Sequence, residues 1–333
     1  MLERKNKGTK QREIIKMKKY AAVIGASNID IGGWPDNKLI YEDSNPGHIN
    51  ISYGGVGRNI AHNLSLLGLP VKLISSAGDD PMGRGLKEYC EDAGIDTSLF
   101  VTDKSTSSFY LYINDQNGDL ALALSQISAE KSITPDHLDQ VEEFINNAAI
   151  AVVDSNISLE SFIHLKKICR VPIFLDPVSA LKTKKLKGYL EGVDTIKPNR
   201  IEAEYLTGIT LDSEKGYVKA AESLIDQGLK RAFISLGEEG ILAADADNIF
   251  KISNYPCDIV STAGAGDAAA AAIVWTSVHK DISDEKFLIY ASKAANAAAA
   301  ITISVKEANN PDLSIDRINE IVNNIGSTVI KLK

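Results

Sequence analysis

The segment 261–267, Ser-Thr-Ala-Gly-Ala-Gly-Asp, contains the residue types that phosphate chemistry uses, and it precedes the apolar run 268–278, which has helical character. Glycines let a backbone approach a ligand closely, and N–H groups at a helix N-terminus attract anions. An aspartate beside an anion site repels phosphate, so it suits a group that takes a proton from an attacking hydroxyl. The motif alone is also compatible with an ordinary helix cap.

Three further segments contain residues that could bind a ligand. The segment 54–59, Gly-Gly-Val-Gly-Arg-Asn, precedes a helical pattern but has neither the dinucleotide fingerprint nor a Walker lysine. Asn28 and Asp30 follow the first predicted strand, at the carboxyl end where α/β proteins bind ligands. Asn199 and Glu202 are three residues apart on a predicted helix, so they can share one metal–water shell or form a capping box.

The charge of the 333-residue chain is unevenly distributed. The formal net charge is −8, but residues 1–19 contain eight basic and two acidic residues, which gives +6 and leaves −14 for the remainder. This balance argues against a protein that wraps nucleic acid, and the basic tail is either solvated or an arm that reaches nucleic acid or a membrane surface. The three cysteines are far apart and no apolar run has membrane-spanning length, so we expect a cytoplasmic protein.

The hydrophobic pattern predicts the elements that position these motifs. Apolar runs near 20–24, 71–74, 149–153 and 232–236 alternate with amphipathic helical patterns. This alternation predicts an α/β fold with a central, mostly parallel β-sheet flanked by helices. Two β-rich segments, near 34–51 and 105–124, interrupt it and predict a small β-sheet lid over a ligand crevice.

Together and in this order, the motifs resemble the ribokinase-like, or PfkB-type, carbohydrate kinase family. The resemblance extends over 20–333 and rests on the early Gly-Gly motif at 54–59, the Asn-x-x-Glu motif at 199–202 and the Gly-Ala-Gly-Asp motif at 264–267. The strand and turn at 235–240 also resemble the nucleotide-contacting segment of that family. The resemblance implies a ribokinase-like kinase domain with a lid, preceded by the tail.

The resemblance also implies roles for individual residues in an ATP- and Mg²⁺-dependent kinase. Asp267 would be the base, and the backbone N–H groups of Gly264, Ala265 and Gly266 would form an anion hole for the γ-phosphoryl group. Glu202 and Asn199 would hold Mg²⁺ through water. The acceptor would be bound by Asn28, Asp30, Gly54, Gly55 and Asn59. ATP would be bound by Asn199, Ser235, Gly237, Gly264, Gly266 and Asn296.

Two residues depart from common family patterns. Ser261 replaces an aspartate that often ligates a monovalent cation in this family, which leaves a potassium requirement open. Val56 replaces a lysine that is common in ribokinases, which argues against ribokinase itself.

The stretches 54–61, 176–180, 197–204 and 309–314 resemble the pseudouridine kinase branch of the family. That branch implies transfer to the 5′-hydroxyl of pseudouridine. Ribose, a ketohexose, adenosine and uridine are alternative acceptors for the same chemistry.

Functions outside the kinase class are less well supported by the sequence. A non-catalytic nucleoside sensor would not need an aspartate that faces a phosphate. A Rossmann oxidoreductase is disfavoured because no GxGxxG motif follows the first predicted strand. Because exposed strand edges tend to pair, and because of the family resemblance, we also expect a homodimer formed through the lid.

Overall fold

The computed structural model describes residues 20–103, 106–127 and 129–333. The predicted basic tail, 1–19, lies outside the described residues, as does residue 105. A nine-stranded sheet forms the centre, in the order β15-β14-β13-β12-β11-β10-β9-β1-β4. Its strands are β1 (Ala21–Ile24), β4 (Val71–Ile74), β9 (Ile150–Asp154), β10 (Ile173–Asp176), β11 (Thr195–Ile196), β12 (Arg231–Ser235), β13 (Ile241–Ala244), β14 (Ile249–Ile252) and β15 (Val329–Lys331).

Helices cover both faces of this sheet. Pairs from β12 through β4 are parallel, whereas β13, β14 and β15 form an antiparallel edge. Along β1, Ala21 and Val23 pack into one hydrophobic cluster and Ala22 and Ile24 into the other, because alternate side chains of a strand point to opposite faces. The predicted α/β fold with a mostly parallel, doubly covered sheet is confirmed.

Twelve α-helices occur in the described residues, and those nearest the site include two alanine-rich helices on one face of the sheet. The helices of the described residues are α1 (Val56–Leu66), α2 (Pro81–Asp92), α3 (Ala129–Ser132), α4 (Pro135–Gln140), α5 (Glu142–Asn146), α6 (Leu159–Ile168), α7 (Ala180–Thr183), α8 (Arg200–Thr207), α9 (Glu214–Ile225), α10 (Ala265–His279), α11 (Asp284–Thr302) and α12 (Ile315–Asn324). The alanine-rich helices α10 and α11 pack closely, and α10 also contacts α1. Small side chains let these backbones approach, which places the start of α10 beside the start of α1.

A second sheet of four strands stands apart from the first, in the order β3-β2-β7-β8. Its strands are β2 (Asn28–Pro35), β3 (Gly47–Gly54), β7 (Phe109–Asn114) and β8 (Leu120–Gln126). We call it the small sheet. It overlaps the two segments predicted as a lid, but it also includes residues 28–33, for which the sequence predicts no strand. The division into a tail and one kinase domain with a lid stays a prediction.

Strands β5 (Ser76–Gly78) and β6 (Val101–Asp103) form a separate parallel pair.

Candidate active site

Polar groups gather at the carboxyl edge of the central sheet. Strands β9 and β10 end at Asp154 and Asp176, which are register partners, and Lys197 follows β11 directly. Asp154 is fully buried, and its carboxylate accepts hydrogen bonds from the backbone N–H groups of Ala26 (3.0 Å) and Gly57 (2.8 Å). The end of β1 and the start of α1 are thereby fixed to the end of β9.

The glycine-rich turn before α10 has a backbone that requires glycine. Gly264 caps the helix in a left-handed conformation (φ 77°), and a Cβ there would overlap the carbonyl of Ala308. The N–H of Ala265 faces the carbonyl oxygen of Thr262 at 3.4 Å, so it is only weakly bonded. Asp267 lies in the first turn of the helix. The predicted arrangement of backbone N–H groups and an aspartate at one helix N-terminus is therefore present.

Asp267 contacts the predicted acceptor side of the site. The side-chain amide of Asn59, on α1, donates a hydrogen bond to Asp267 Oδ2 at 2.7 Å. Burial and, after it, the nearby Asp176 carboxylate raise the pKa of Asp267 to about 7, although Asn59, Lys197 and Arg58 act to lower it. A carboxylate with a pKa near neutrality is suited to accept a proton at physiological pH.

The other predicted acceptor residues form a second polar group at the base of the small sheet. Asn28 and Asp30 both lie on β2, and the Asn28 amide donates a hydrogen bond to Asp30. Burial raises the pKa of Asp30 to about 6, against the opposing effects of Arg58 and Asn28. Gly54 lies against Asp30 so closely that a Cβ would overlap its carboxylate, and Gly55 has φ 98°. The two glycines therefore allow the chain to turn from β3 into α1 beside these polar side chains.

A cavity of about 680 Å³ opens beside Asp267. Asp267 and Glu202 both line it. Of the residues predicted to bind ATP, those that line it are Asn199, Ser235, Gly237, Gly266 and Asn296. Gly264 does not line it, although it caps the helix that does. The cavity volume falls within the range of small-molecule and cofactor sites.

Asn296 lines this cavity, and the NH2 group of its side chain already donates hydrogen bonds within the protein. Its Nδ2 donates to the carbonyl oxygens of Ile252 (3.2 Å) and Ser253 (3.0 Å). Packing against β14 therefore accounts for its position, and its side-chain oxygen is the group left for a ligand.

Asn199 and Glu202 form the capping box that the sequence allowed as an alternative to a metal site. Asn199 caps α8 by accepting the Glu202 N–H at 2.9 Å, and Glu202 accepts both the backbone N–H (2.8 Å) and the side-chain amide (2.9 Å) of Asn199. Burial raises the pKa of Glu202. Both residues also line the cavity, so the capping box and a role in the site coexist.

The oxygen atoms of this pair fit a hydrated divalent cation better than a directly coordinated one. Direct coordination would compete with the capping box, whereas bridging water leaves the box intact. No cluster of three or more His, Cys, Asp or Glu side chains with metal-binding geometry occurs in the described part of the chain. Mg²⁺ commonly keeps several waters and is held by one or two carboxylates together with substrate phosphates, so these residues fit such an ion.

Four site residues were missed by sequence reasoning. Asp176 and Lys197 form an ion pair at 3.3 Å that lines the cavity. Arg58 is 1% exposed, and its guanidinium donates to the carbonyl oxygens of Tyr53 and Gly54 and to Asn309 Oδ1 (2.7 Å). Asn309 in turn donates to the Asn59 carbonyl oxygen at 3.1 Å. The segments containing them were visible as family-like stretches, but nothing in their spacing showed these contacts.

A match to a known protein family covers most of the chain. Residues 18–315 match the model of the pfkB family of carbohydrate kinases. The chain belongs to this family. It is 36% identical to the pseudouridine kinase of Escherichia coli (strain K12) over 313 residues, covering 92% of this chain and 97% of that protein. It is also 28% identical to the pseudouridine kinase of Arabidopsis thaliana, covering 70% of this chain and 67% of that protein.

Solved structures show the same fold. A carbohydrate kinase from Agrobacterium tumefaciens aligns with a TM-score of 0.80 at 27% identity, covering 94% of this chain and 100% of that chain. Arabidopsis thaliana ribokinase, complexed with ribose and ATP, aligns with a TM-score of 0.78 at 22% identity, covering 92% and 99%. The ribokinase-like fold predicted from the motifs is confirmed.

Membership of the family establishes the class of reaction. The chain is a PfkB-family sugar or nucleoside kinase, a phosphotransferase that acts on a hydroxyl group of a small molecule. Kinases of this fold use ATP with a divalent metal. None of the described helices is long and apolar enough to cross a membrane.

Proposed function

We propose that this kinase transfers the γ-phosphoryl group of ATP to the 5′-hydroxyl of a nucleoside, and that the nucleoside is pseudouridine. The observation that carries the chemistry is the position of Asp267, which lines the large cavity and accepts a hydrogen bond from Asn59, with its pKa raised to about 7. Similarity to pseudouridine kinases from two organisms supports the choice of nucleoside.

In the proposed reaction, the nucleoside lies under the small sheet against Asn28, Asp30, Gly54, Gly55 and Asn59. The hydroxyl oxygen forms a bond to the γ-phosphorus while the bond from that phosphorus to the bridging oxygen of ADP breaks. Asp267 takes the hydroxyl proton. The N-terminus of α10 has backbone N–H groups without intrahelical acceptors, and at Gly264, Ala265 and Gly266 these groups would stabilise charge on the transferring phosphoryl.

The proposed nucleotide side is the large cavity. Asn199, Ser235, Gly237, Gly266 and Asn296 line it from four different segments of the chain. Mg²⁺, held through water by Glu202 and Asn199, would neutralise charge on the phosphate oxygens. The small sheet would act as a lid that excludes water, which would otherwise compete with the nucleoside as acceptor.

An acceptor panel tests the proposal. Purified protein with ATP and Mg²⁺ would be given pseudouridine, uridine, adenosine, ribose, deoxyribose and a ketohexose, and ADP release and phosphorylated product would be measured. We expect the highest kcat/KM for pseudouridine, whose ring carries one N–H more than that of uridine, since a correctly placed acceptor can discriminate strongly between such pairs. A higher kcat/KM for any other acceptor would refute pseudouridine, and phosphorylation at a different hydroxyl would refute the 5′ assignment.

We also propose that two copies of the chain pair through the outer face of the small sheet. Ile49 and Ile51 on β3 and Leu122 and Leu124 on β8 share this face by strand register and are all more than half exposed. Apolar groups that cluster on a surface mark an interaction site. Light scattering should give a dimer, and Leu122→Lys should give a monomer. A monomeric wild-type protein at micromolar concentration would refute this assembly.

A further inference from the structure

Lys197 is a buried lysine that none of the chemistry described above uses. It follows β11, is 5% exposed and lines the large cavity. Its Nζ lies 3.3 Å from Asp176 Oδ2. A Cβ built on Gly266 would lie 3.6 Å from the same nitrogen, so the ammonium group sits directly beside the glycine-rich turn at the start of α10.

The hydrogen-bonding capacity of this ammonium group is largely unused. A lysine has three N–H donors, and in the described ranges Asp176 is the one acceptor that contacts it. Their separation of 3.3 Å exceeds the 2.7–2.9 Å typical of a strong charge-assisted hydrogen bond. Lysine is rarely buried without full pairing, because the desolvation of its charge is costly. Because Lys197 lines the cavity, an anionic ligand bound there could accept hydrogen bonds from the remaining donors.

The charges around Lys197 determine how well this end of the cavity could hold an anionic ligand. The carboxylates of Asp176, Glu202 and Asp267 all act on its ammonium group, so the group remains charged. Three carboxylates around one end of the cavity would repel a triphosphate. A fixed cation beside the turn offsets that repulsion at the position where the phosphoryl group would lie.

We propose that Lys197 is a catalytic residue whose ammonium group donates hydrogen bonds to a non-bridging oxygen of the transferring γ-phosphoryl group, while Asp176 holds the ammonium in place. The inference rests on the proposed kinase reaction and adds a residue to it. Lys197 makes no covalent bond and transfers no proton. Its positive charge stabilises the charge on the phosphoryl oxygens as the bond to ADP breaks and the bond to the acceptor forms.

The experiment compares Lys197→Met and Lys197→Arg with the wild-type protein. Lys72→Met is the matched control, because Lys72 also pairs with an aspartate, Asp96, but away from the cavity. We expect Lys197→Met to lower kcat by roughly 10²- to 10³-fold, the usual loss for one group that stabilises transition-state charge, and to lower kcat/KM for ATP by roughly a further tenfold, because bound ATP loses the same contact before the reaction. The kcat of Lys197→Arg should lie between those of Lys197→Met and the wild-type protein, and the kcat of the Lys72→Met control should equal that of wild type.

A binding measurement separates a phosphoryl contact from a structural role. Calorimetry would give the Kd of ADP and of a non-hydrolysable ATP analogue for each variant. We expect Lys197→Met to weaken the analogue roughly tenfold or more and to leave ADP within about twofold, since ADP lacks the contacted group. If Lys197→Met does not fold, the double variant with Asp176→Asn, which removes both charges, takes its place.

Two results would overturn the inference: a kcat for Lys197→Met within about threefold of wild type, or equal weakening of ADP and the analogue. Absence of turnover by the wild-type protein with every acceptor would instead refute the proposed function. In that case, the comparison of the analogue with ADP still decides whether Lys197 contacts the terminal phosphoryl group.

Discussion

Replacing Asp267 by asparagine should abolish most activity and yet stabilise the protein at alkaline pH. Asparagine has nearly the same shape, and its carbonyl oxygen can still accept the Asn59 amide that now bonds Asp267 at 2.7 Å. It cannot accept a proton from the acceptor hydroxyl, so kcat should fall by about 10²- to 10⁴-fold. It also removes an ionised group from a site where the negative charge is unfavourable.

The size of the stabilisation follows from the pKa of Asp267. Burial, with the charge of Asp176, raises this pKa from an ordinary value of 3.8 to about 7. A raised carboxyl pKa means that the folded state resists ionisation, so folding loses free energy as pH rises through this interval. The shift of about three pH units, at about 1.4 kcal/mol per unit, gives at most about 4 kcal/mol above neutrality. Below about pH 4 the cost disappears because the group is neutral in both states.

Differential scanning fluorimetry from about pH 5 to pH 9 would test this reasoning. The Tm of Asp267→Asn should exceed that of wild type by up to about 6 °C near pH 8, and the difference should shrink steadily towards pH 5. Asp247→Asn, at an exposed turn, is the control and should follow wild type at every pH. A variant with wild-type Tm at all pH values, or with a gain that is largest in acid, would refute the argument about Asp267.

Three further outcomes are expected. Cys257, which is exposed and lines the cavity, should react with iodoacetamide about tenfold more slowly when ATP is present at ten times its Kd; equal rates would contradict the nucleotide site. Gly55→Ala should lower the free energy of unfolding by about 2–4 kcal/mol and Gly68→Ala by about 1 kcal/mol, because both residues have positive φ but only Gly55 lies against a carbonyl group. Equal losses for the two variants would contradict a steric role of that carbonyl. Asn309→Ala should cost about 1–3 kcal/mol in urea unfolding and raise the acceptor KM, because it leaves Arg58 short of an acceptor; an unchanged KM would show that Asn309 does not position the acceptor site.

Local chemistry made part of the site predictable from sequence. The glycines at 264 and 266 and the aspartate at 267 are adjacent in the chain, so one turn and one helix start determine their geometry. The capping box of Asn199 and Glu202 is similarly local, since residues three apart share a helix face. The alternation of apolar strands and amphipathic helices predicted the sheet, because each element shows its own period in the sequence.

Contacts between distant segments could not be predicted in this way. Lys197 and Asp176 meet because β10 and β11 are neighbours in the sheet, and strand order is not visible in the hydrophobic pattern. The bond from Arg58 to Asn309 joins residues 251 positions apart. The sequence places Asn28 and Asp30 after the first strand and predicts no second strand there, because the segment contains polar residues and two glycines and is separated from β1 by only three residues. Pairing with β3 and β7 makes that segment a strand.

The small sheet is anchored at one end only, and this determines how it can move. Near its base, Ile29 is fully buried in the core cluster beneath α1 and α10, and Ile31, Tyr53 and Phe109 pack against the same cluster. Beyond them, side chains such as Ile49 are mostly exposed. Rotation of the whole sheet as a rigid flap would tear its base from the core and expose apolar surface at a cost of several kcal/mol. Bending of the strands part-way along their length costs less free energy, because the base stays packed against the core. Closure should therefore move the free end of the small sheet by elastic bending, without rotation about a hinge at its base.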